Sequence, residues 1–230
     1  MILTNKSYER RAPSRDAIII IIYCEGNRRE PDYFRYFHEI STQIKFEIVK
    51  ANRSGNNSPM GLYEQAFEDL IKTENNLKTK YEINESDQVW FVIDTDAWGN
   101  KITELRANCR KHSNWFIAQS NPCFEVWLYY HLRSESPCFD GVNIAKKWKP
   151  FLNDEVFKAD GGFDSRKHPI LIKEAIENAK KNFQFNADGE IEICSTEVYL
   201  LAESFYPFVK EIIEEEYISL KRTSAIDVLE

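Results

Sequence analysis

Asp94 and Asp96 stand two residues apart at the end of the apolar run VWFVIDTDAW, and Glu25 closes a second such run, IIIIIYCEG. Residues two apart in extended backbone project to the same side, so both aspartates offer hard oxygen ligands to one point, which suits Mg²⁺ or Mn²⁺. Each run reads as a buried β-strand that delivers carboxylate at its C-terminal end, where open α/β sheets place their ligands. Parallel neighbours bring such ends together, which puts Glu25 within reach of the same crevice. Three acids that close repel one another and shift their pKa values unless a cation or a proton intervenes. The plainer alternative is that Asp94 and Asp96 cap the turn after their strand, as Asp often does. The second acidic strand end weighs against it.

Basic residues flank the acids. Arg28 and Arg29 follow Glu25 directly, just before a helix N-terminus, a natural place to hold phosphate oxygens. A fourth acid, Glu125, lies in SNPCFEVWLYYH, where Asn121 reads as an N-cap and Pro122 as the first helical residue. The helix that follows is apolar nearly all round and must be buried, so Glu125 needs a partner. Arg35, Arg106 or the helix N-terminus would serve, and so would a second metal ion.

The elements that position these residues alternate. After the first strand, a helix opening at Pro31 shows Tyr33, Phe34, Phe37 and Ile40 on one face. Lys45 to Ala51 is a second strand, 52–58 a polar loop, and Pro59 opens a helix through Leu62, Ala66, Leu70 and Leu77. Gln88 to Ile93 is the third strand, about Lys101 to Lys111 a helix, and Trp115 to Gln119 the fourth strand. Such βαβ alternation predicts an α/β fold: a mainly parallel sheet flanked by helices, joined by right-handed crossovers. Beyond Arg133, helices are expected over 140–152, over Pro169 to Phe183, and from Ser195 until Pro207 kinks or ends it, forming a C-terminal helical lobe. The expected organisation is a basic arm over 1–15, a catalytic domain over 16–135 and the helical lobe over 136–230.

Composition limits the function classes. The chain has 230 residues, 43% of them hydrophobic and 13% aromatic, which is enough for one good core. The longest apolar stretch, Ala17 to Cys24, is too short to span a bilayer, and the N-terminus lacks a signal peptide's pattern, so the expected compartment is the cytoplasm, with no membrane partner. Five cysteines without CxxC spacing read as reduced core residues, and four scattered histidines offer no zinc motif. His131 reads as a core histidine rather than a base. GxxxxGK[ST], GxGxxG and GxSxG loops are absent. The net charge of −7 repels a nucleic-acid backbone unless basic residues gather or metal ions mediate. They do gather at the N-terminus, where Lys6, Arg10, Arg11 and Arg15 face only Glu9. The segment from Lys210 onward is acidic, and its Ile212, Ile213, Tyr217 and Leu220 either pack at home or meet a partner protein or a second copy, as in a homo-oligomer.

Glu25 and Asp94-Thr95-Asp96 at two strand ends resemble the Toprim domain of topoisomerases, primases and OLD-type nucleases. Cys24-Glu25-Gly26, Glu30-Pro31 with Tyr33-Phe34, and SNPCFE with Trp127, Leu128 and His131 are similar to the RloB-like proteins of bacterial defence loci. The resemblance covers roughly Ser14 to Leu132, with a further echo at Ser195-Thr196-Glu197-Val198. It implies a Toprim-like sheet, an anti-phage role beside a separately encoded ATPase, and a lysine assisting catalysis in the loop around 158–167. Lys158 is the candidate, against a solvated loop lysine.

Together these point to a metal-dependent nucleic-acid phosphodiesterase acting on DNA or RNA. Asp94 and Asp96 hold the metal, Glu25 is a ligand or general acid/base, Glu125 supports a second ion, and Arg28 and Arg29 position the phosphate. The alternative from another class is a non-catalytic Toprim-like module that docks on an ATPase or nucleic acid.

Overall fold

The computed structural model describes residues 17–51, 57–74, 76–95, 98–137, 145–158 and 162–226. The basic segment 1–15, most of the 52–58 loop, Asp96, Asp160 and Gly161 lie outside the described residues.

Four strands form one all-parallel sheet: β1 (Ile18–Cys24), β2 (Ile44–Lys50), β3 (Gln88–Asp94) and β4 (Trp115–Ser120). Their order is β2-β1-β3-β4. Helices cover both faces, as an all-parallel sheet requires. Strand alternation sorts the core. Ile20, Ile22 and Cys24 face one layer made by α1 (Arg29–Arg35), α4 (Glu125–Tyr129), α6 (Ile172–Asn182) and α7 (Val198–Ile226). Ile21 and Tyr23 face the other, made by α2 (Pro59–Leu70) and α3 (Asn100–Cys109). A further helix, α5 (Ala145–Asn153), runs on into one π-helical turn over Asp154–Lys158 and adds Leu152 and Val156 to the first layer.

Several expected boundaries move. Helix α1 starts two residues before Pro31 and ends at Arg35; i→i+3 bonds such as Phe37 N to Phe34 O, at 3.1 Å, tighten the chain beyond it, and Glu39 has φ 64°. Helix α2 ends at Leu70, leaving Leu77 77% exposed. The cause is local: Asn76 Nδ2 donates to Glu68 O at 2.7 Å and the 73–76 turn closes on itself, competing with continued helix. Asn121 does not cap a helix. Its N–H donates to Ser195 O at 2.9 Å, its carbonyl accepts from Cys194 N at 2.7 Å, and its side chain donates to Ile191 O at 2.7 Å. The Asn121–Pro122 peptide is cis and α4 begins only at Glu125. Helix α7 neither starts at Ser195 nor stops at Pro207; it starts at Val198 and runs through the proline to Ile226. In its last segment Ile213 is buried and Tyr217 packs on the core, whereas Ile212, Ile218 and Leu220 stay exposed. Among the described residues no helix is long and apolar enough to cross a membrane.

Candidate functional site

From β1 the chain steps to one side for β2, then crosses to the opposite side of β1 for β3. The crevice at that switch point, between the carboxyl ends of β1 and β3, is where a doubly wound sheet leaves room for a ligand. Glu25 follows β1 and Asp94 ends β3. Glu25 N donates to Val92 O at 3.1 Å, extending the ladder by one residue and fixing the acid beside β3. The Asp94 N–H then donates to Glu25 Oε2 at 3.0 Å, and Trp98 Nε1 donates to Glu25 Oε1 at 2.9 Å.

Asp94 shares its strand face with Trp90 and Val92, which point toward α1 and α4. Its Oδ1 accepts from Phe124 N at 2.8 Å, and its Oδ2 meets Lys149 Nζ at 2.9 Å. Glu125, one residue on, is buried and forms an ion pair with Arg29. Neither expected arginine partner is used: Arg35 pairs with Asp32, and Arg106 binds Gln119 and Glu197. Arg29 also lies over the Phe157 ring, 4.5 Å from its centroid, and burial lowers its pKa.

A fourth described acid completes the crevice. Glu30, in the first turn of α1, accepts from Gly26 N at 3.2 Å and is buried. Burial and then the nearby Asp94 push its carboxyl up to about 7. A Cβ on Gly26 would run into that carboxyl group, so with glycine there the Glu30 side chain can close on the turn. The cavity these residues line, with Asn27, Arg28 and Asn57, measures about 420 Å³.

The crevice therefore gathers Glu25, Asp94, Glu125, Arg28 and Arg29 as the sequence suggests. Asp96 lies outside the described residues. Lys158 does not line the cavity; it is exposed and pairs with Asp154 at 2.7 Å. Among the described residues, the lysine that reaches the acids is Lys149. Sequence reasoning missed it because nothing local in KKWKP marks one lysine among three. It also missed Glu30 as a site residue, although the spacing of Gly26 and Glu30 was a usable signal. His131 is a core residue: Nδ1 donates to the Trp127 carbonyl at 3.0 Å, so Nε2 accepts from Tyr33 Oη at 3.1 Å. Burial lowers its pKa to about 3 and keeps it neutral.

The family model for RloB-like proteins matches residues 20–205. The chain belongs to the RloB-like family. That match spans both strand ends of the crevice, Lys149 and the start of α7. No curated protein and no solved structure matches this RloB-like chain.

Proposed function

We propose that this RloB-like protein is a divalent-metal-dependent nucleic-acid phosphodiesterase, an endonuclease with a Toprim-type acidic site. The observation that carries the reading is the meeting of Glu25 and Asp94 at the sheet's switch point, with the Asp94 amide bonded to the Glu25 carboxylate.

The donor set suits Mg²⁺ or Mn²⁺, since it consists of carboxylate oxygens with lone pairs to spare. Among the described residues no three acids yet converge on one point. Two of them, Asp94 and Glu125, already hold protein cations, so each position accommodates positive charge. Glu25, Asp94 and Asp96 would hold the metal and Glu125 a second ion. A bound ion supplies charge for the phosphoryl oxygens and a more acidic water. Arg28, exposed at the cavity mouth, binds a phosphate oxygen; Arg29 both orders Glu125 and faces the crevice. Lys149 holds positive charge beside Asp94 and can offer a proton to a departing oxygen. The family resemblance adds the role: an effector of cytoplasmic anti-phage defence that works with a separately encoded ATPase.

The ion pairs of Lys149 and Arg29 also favour a second reading, a non-catalytic docking module whose acids are neutralised for good. The test is incubation of the chain with plasmid, single-stranded DNA and RNA in Mg²⁺ and Mn²⁺. Cleavage should fall about a hundred-fold or more in Glu25→Gln and Asp94→Asn variants that remain folded. Cleavage surviving in both variants refutes the assignment, and no cleavage by the parent chain under any of these conditions favours the docking module.

A further inference from the structure

The outer edge of β4 is a feature the acidic crevice does not use. Asn114 O accepts from Val89 N at 2.9 Å and Ser120 O accepts from Thr95 N at 2.8 Å, so even-numbered residues along this strand turn their backbone groups toward β3. Odd-numbered residues turn theirs outward. At the C-terminal end that outward edge is taken by the chain itself. Gln119 O accepts from Glu197 N at 2.7 Å, Gln119 N donates to Glu197 Oε2 at 3.2 Å, and Ser120 bridges Thr196 antiparallel. Among the described residues, the outward N–H and C=O groups of Trp115 and Ile117 have no backbone partner.

A cavity of about 360 Å³ runs along this open stretch, between α3 on one side and the first turn of α7 on the other. Arg106 and Arg110 stand on its α3 wall, and Phe116 and Leu200, 37% and 39% exposed, present apolar surface. Arg106 is already engaged by Gln119 and Glu197 through one nitrogen, whereas Arg110 is exposed at the end of α3.

We propose that this groove docks an extended acidic segment of a partner protein, added to β4 as a further strand. The open N–H and C=O groups alternate as a strand requires, and strand addition draws its affinity from such main-chain bonds and its specificity from flanking pockets. Arg110 supplies the complement for an acidic side chain, and Phe116 with Leu200 receives an apolar neighbour. A nucleic-acid strand fits less well, because it lacks the alternating N–H and C=O groups at strand spacing that the outward groups of Trp115 and Ile117 would pair with. A second copy fits less well too: residues 194–197 already cover the C-terminal half of the edge, leaving only Trp115 to Ile117 for a two-fold pairing.

Selection of a displayed random-peptide library on the full chain is expected to enrich segments that alternate acidic with β-branched or aromatic residues. A synthetic copy of an enriched peptide should bind Arg110→Glu about ten-fold more weakly, the size of one exposed attraction turned into a repulsion. It should also slow hydrogen exchange at the Trp115 and Ile117 amides by about ten-fold or more, since only a new main-chain bond protects them. Ile117→Pro removes one outward N–H without touching the β3 ladder and should abolish protection of the remaining Trp115 amide; if this variant fails to fold, the Arg110→Glu and exchange readouts still decide. Absence of enrichment, binding indifferent to Arg110→Glu, or binding that leaves both amides exchanging freely overturns the proposal. So does recovery of a single-stranded oligonucleotide or a second copy of the chain, instead of peptide, at this edge.

Discussion

Lys149 Nζ lies 2.9 Å from Asp94 Oδ2, so the acid that ends β3 carries a protein cation on one of the two oxygens it could offer the proposed metal ion. The pair bridges α5 and the sheet across 55 residues of sequence.

Replacing Lys149 by Met removes that cation and leaves Asp94 buried among other acids. In divalent-free buffer the variant should lose roughly 1–2 kcal/mol, a partly buried pair discounted for the exposure of the lysine. Addition of Mg²⁺ should then raise its melting temperature more than it raises that of the parent chain, by mass action on a vacated acid. Equal shifts in the two proteins would show that Lys149 does not compete with metal.

Glu30 and His131 give the stability curve two opposed limbs. Glu30 rises on folding from 4.5 to about 7, so it holds its proton more tightly in the folded chain; that contribution is complete below pH 4.5 and is lost as pH climbs through about 7. Glu30→Gln should therefore gain on the parent chain between pH 5 and pH 8, by at most about 3 kcal/mol. His131 falls from 6.5 to about 3, so below pH 6.5 the unfolded chain takes up a proton that the folded one refuses. Its stability is lost as pH drops through that window. His131→Gln should lose about 2 kcal/mol less than the parent between pH 7 and pH 5. Denaturant titrations across pH check both signs.

Gly26→Ala should destabilise the chain by about 1 kcal/mol, because the new methyl pushes the Glu30 carboxyl off the Gly26 amide. Shortening the partner in Gly26→Ala/Glu30→Ala should recover part of that loss. A double-mutant cycle with no coupling would place the strain elsewhere.

Arg28 and Arg29 are neighbours with different duties. Arg29→Ala strips the pairing cation from a Glu125 side chain that is only 3% exposed and should cost roughly 1–2 kcal/mol, discounted for the 40% exposure of the arginine. Arg28→Ala should change stability by no more than about 0.5 kcal/mol, yet weaken binding of single-stranded oligonucleotide and flatten its salt dependence. Chemical denaturation and binding isotherms at several salt concentrations separate the two.

The sheet was legible because β1 and β3 are near-continuous β-branched and aromatic runs, and five consecutive isoleucines admit few other readings. The nearness of Glu25 and Asp94 was legible for the same reason: both acids end such runs, and parallel strands present their ends together. Glu30 and Lys149 were harder. Glu30 looks like an ordinary first-turn acid until the Gly26 backbone is seen to approach it, and Lys149 reaches Asp94 only through the packing of α5. The Asn121-Pro122 pair misled because its pattern is that of a helix start, while its hydrogen-bonding groups are spent on residues 191–195, a contact no local pattern records. Leu77 misled because apolar spacing continued past Leu70 after the backbone had turned at 73–76.

The clasp on Ser120 ties distant parts of the molecule to one strand end. Thr95 holds its carbonyl from the β3 side, and Thr196 bridges it from the side that leads into the last helix. Immediately beyond it, the same loop delivers the Phe124 amide to Asp94. The lead-in to the long terminal helix and the acidic crevice are thus moored to one short span of backbone, Ser120 to Phe124, so neither can be rebuilt without disturbing the anchorage of the other.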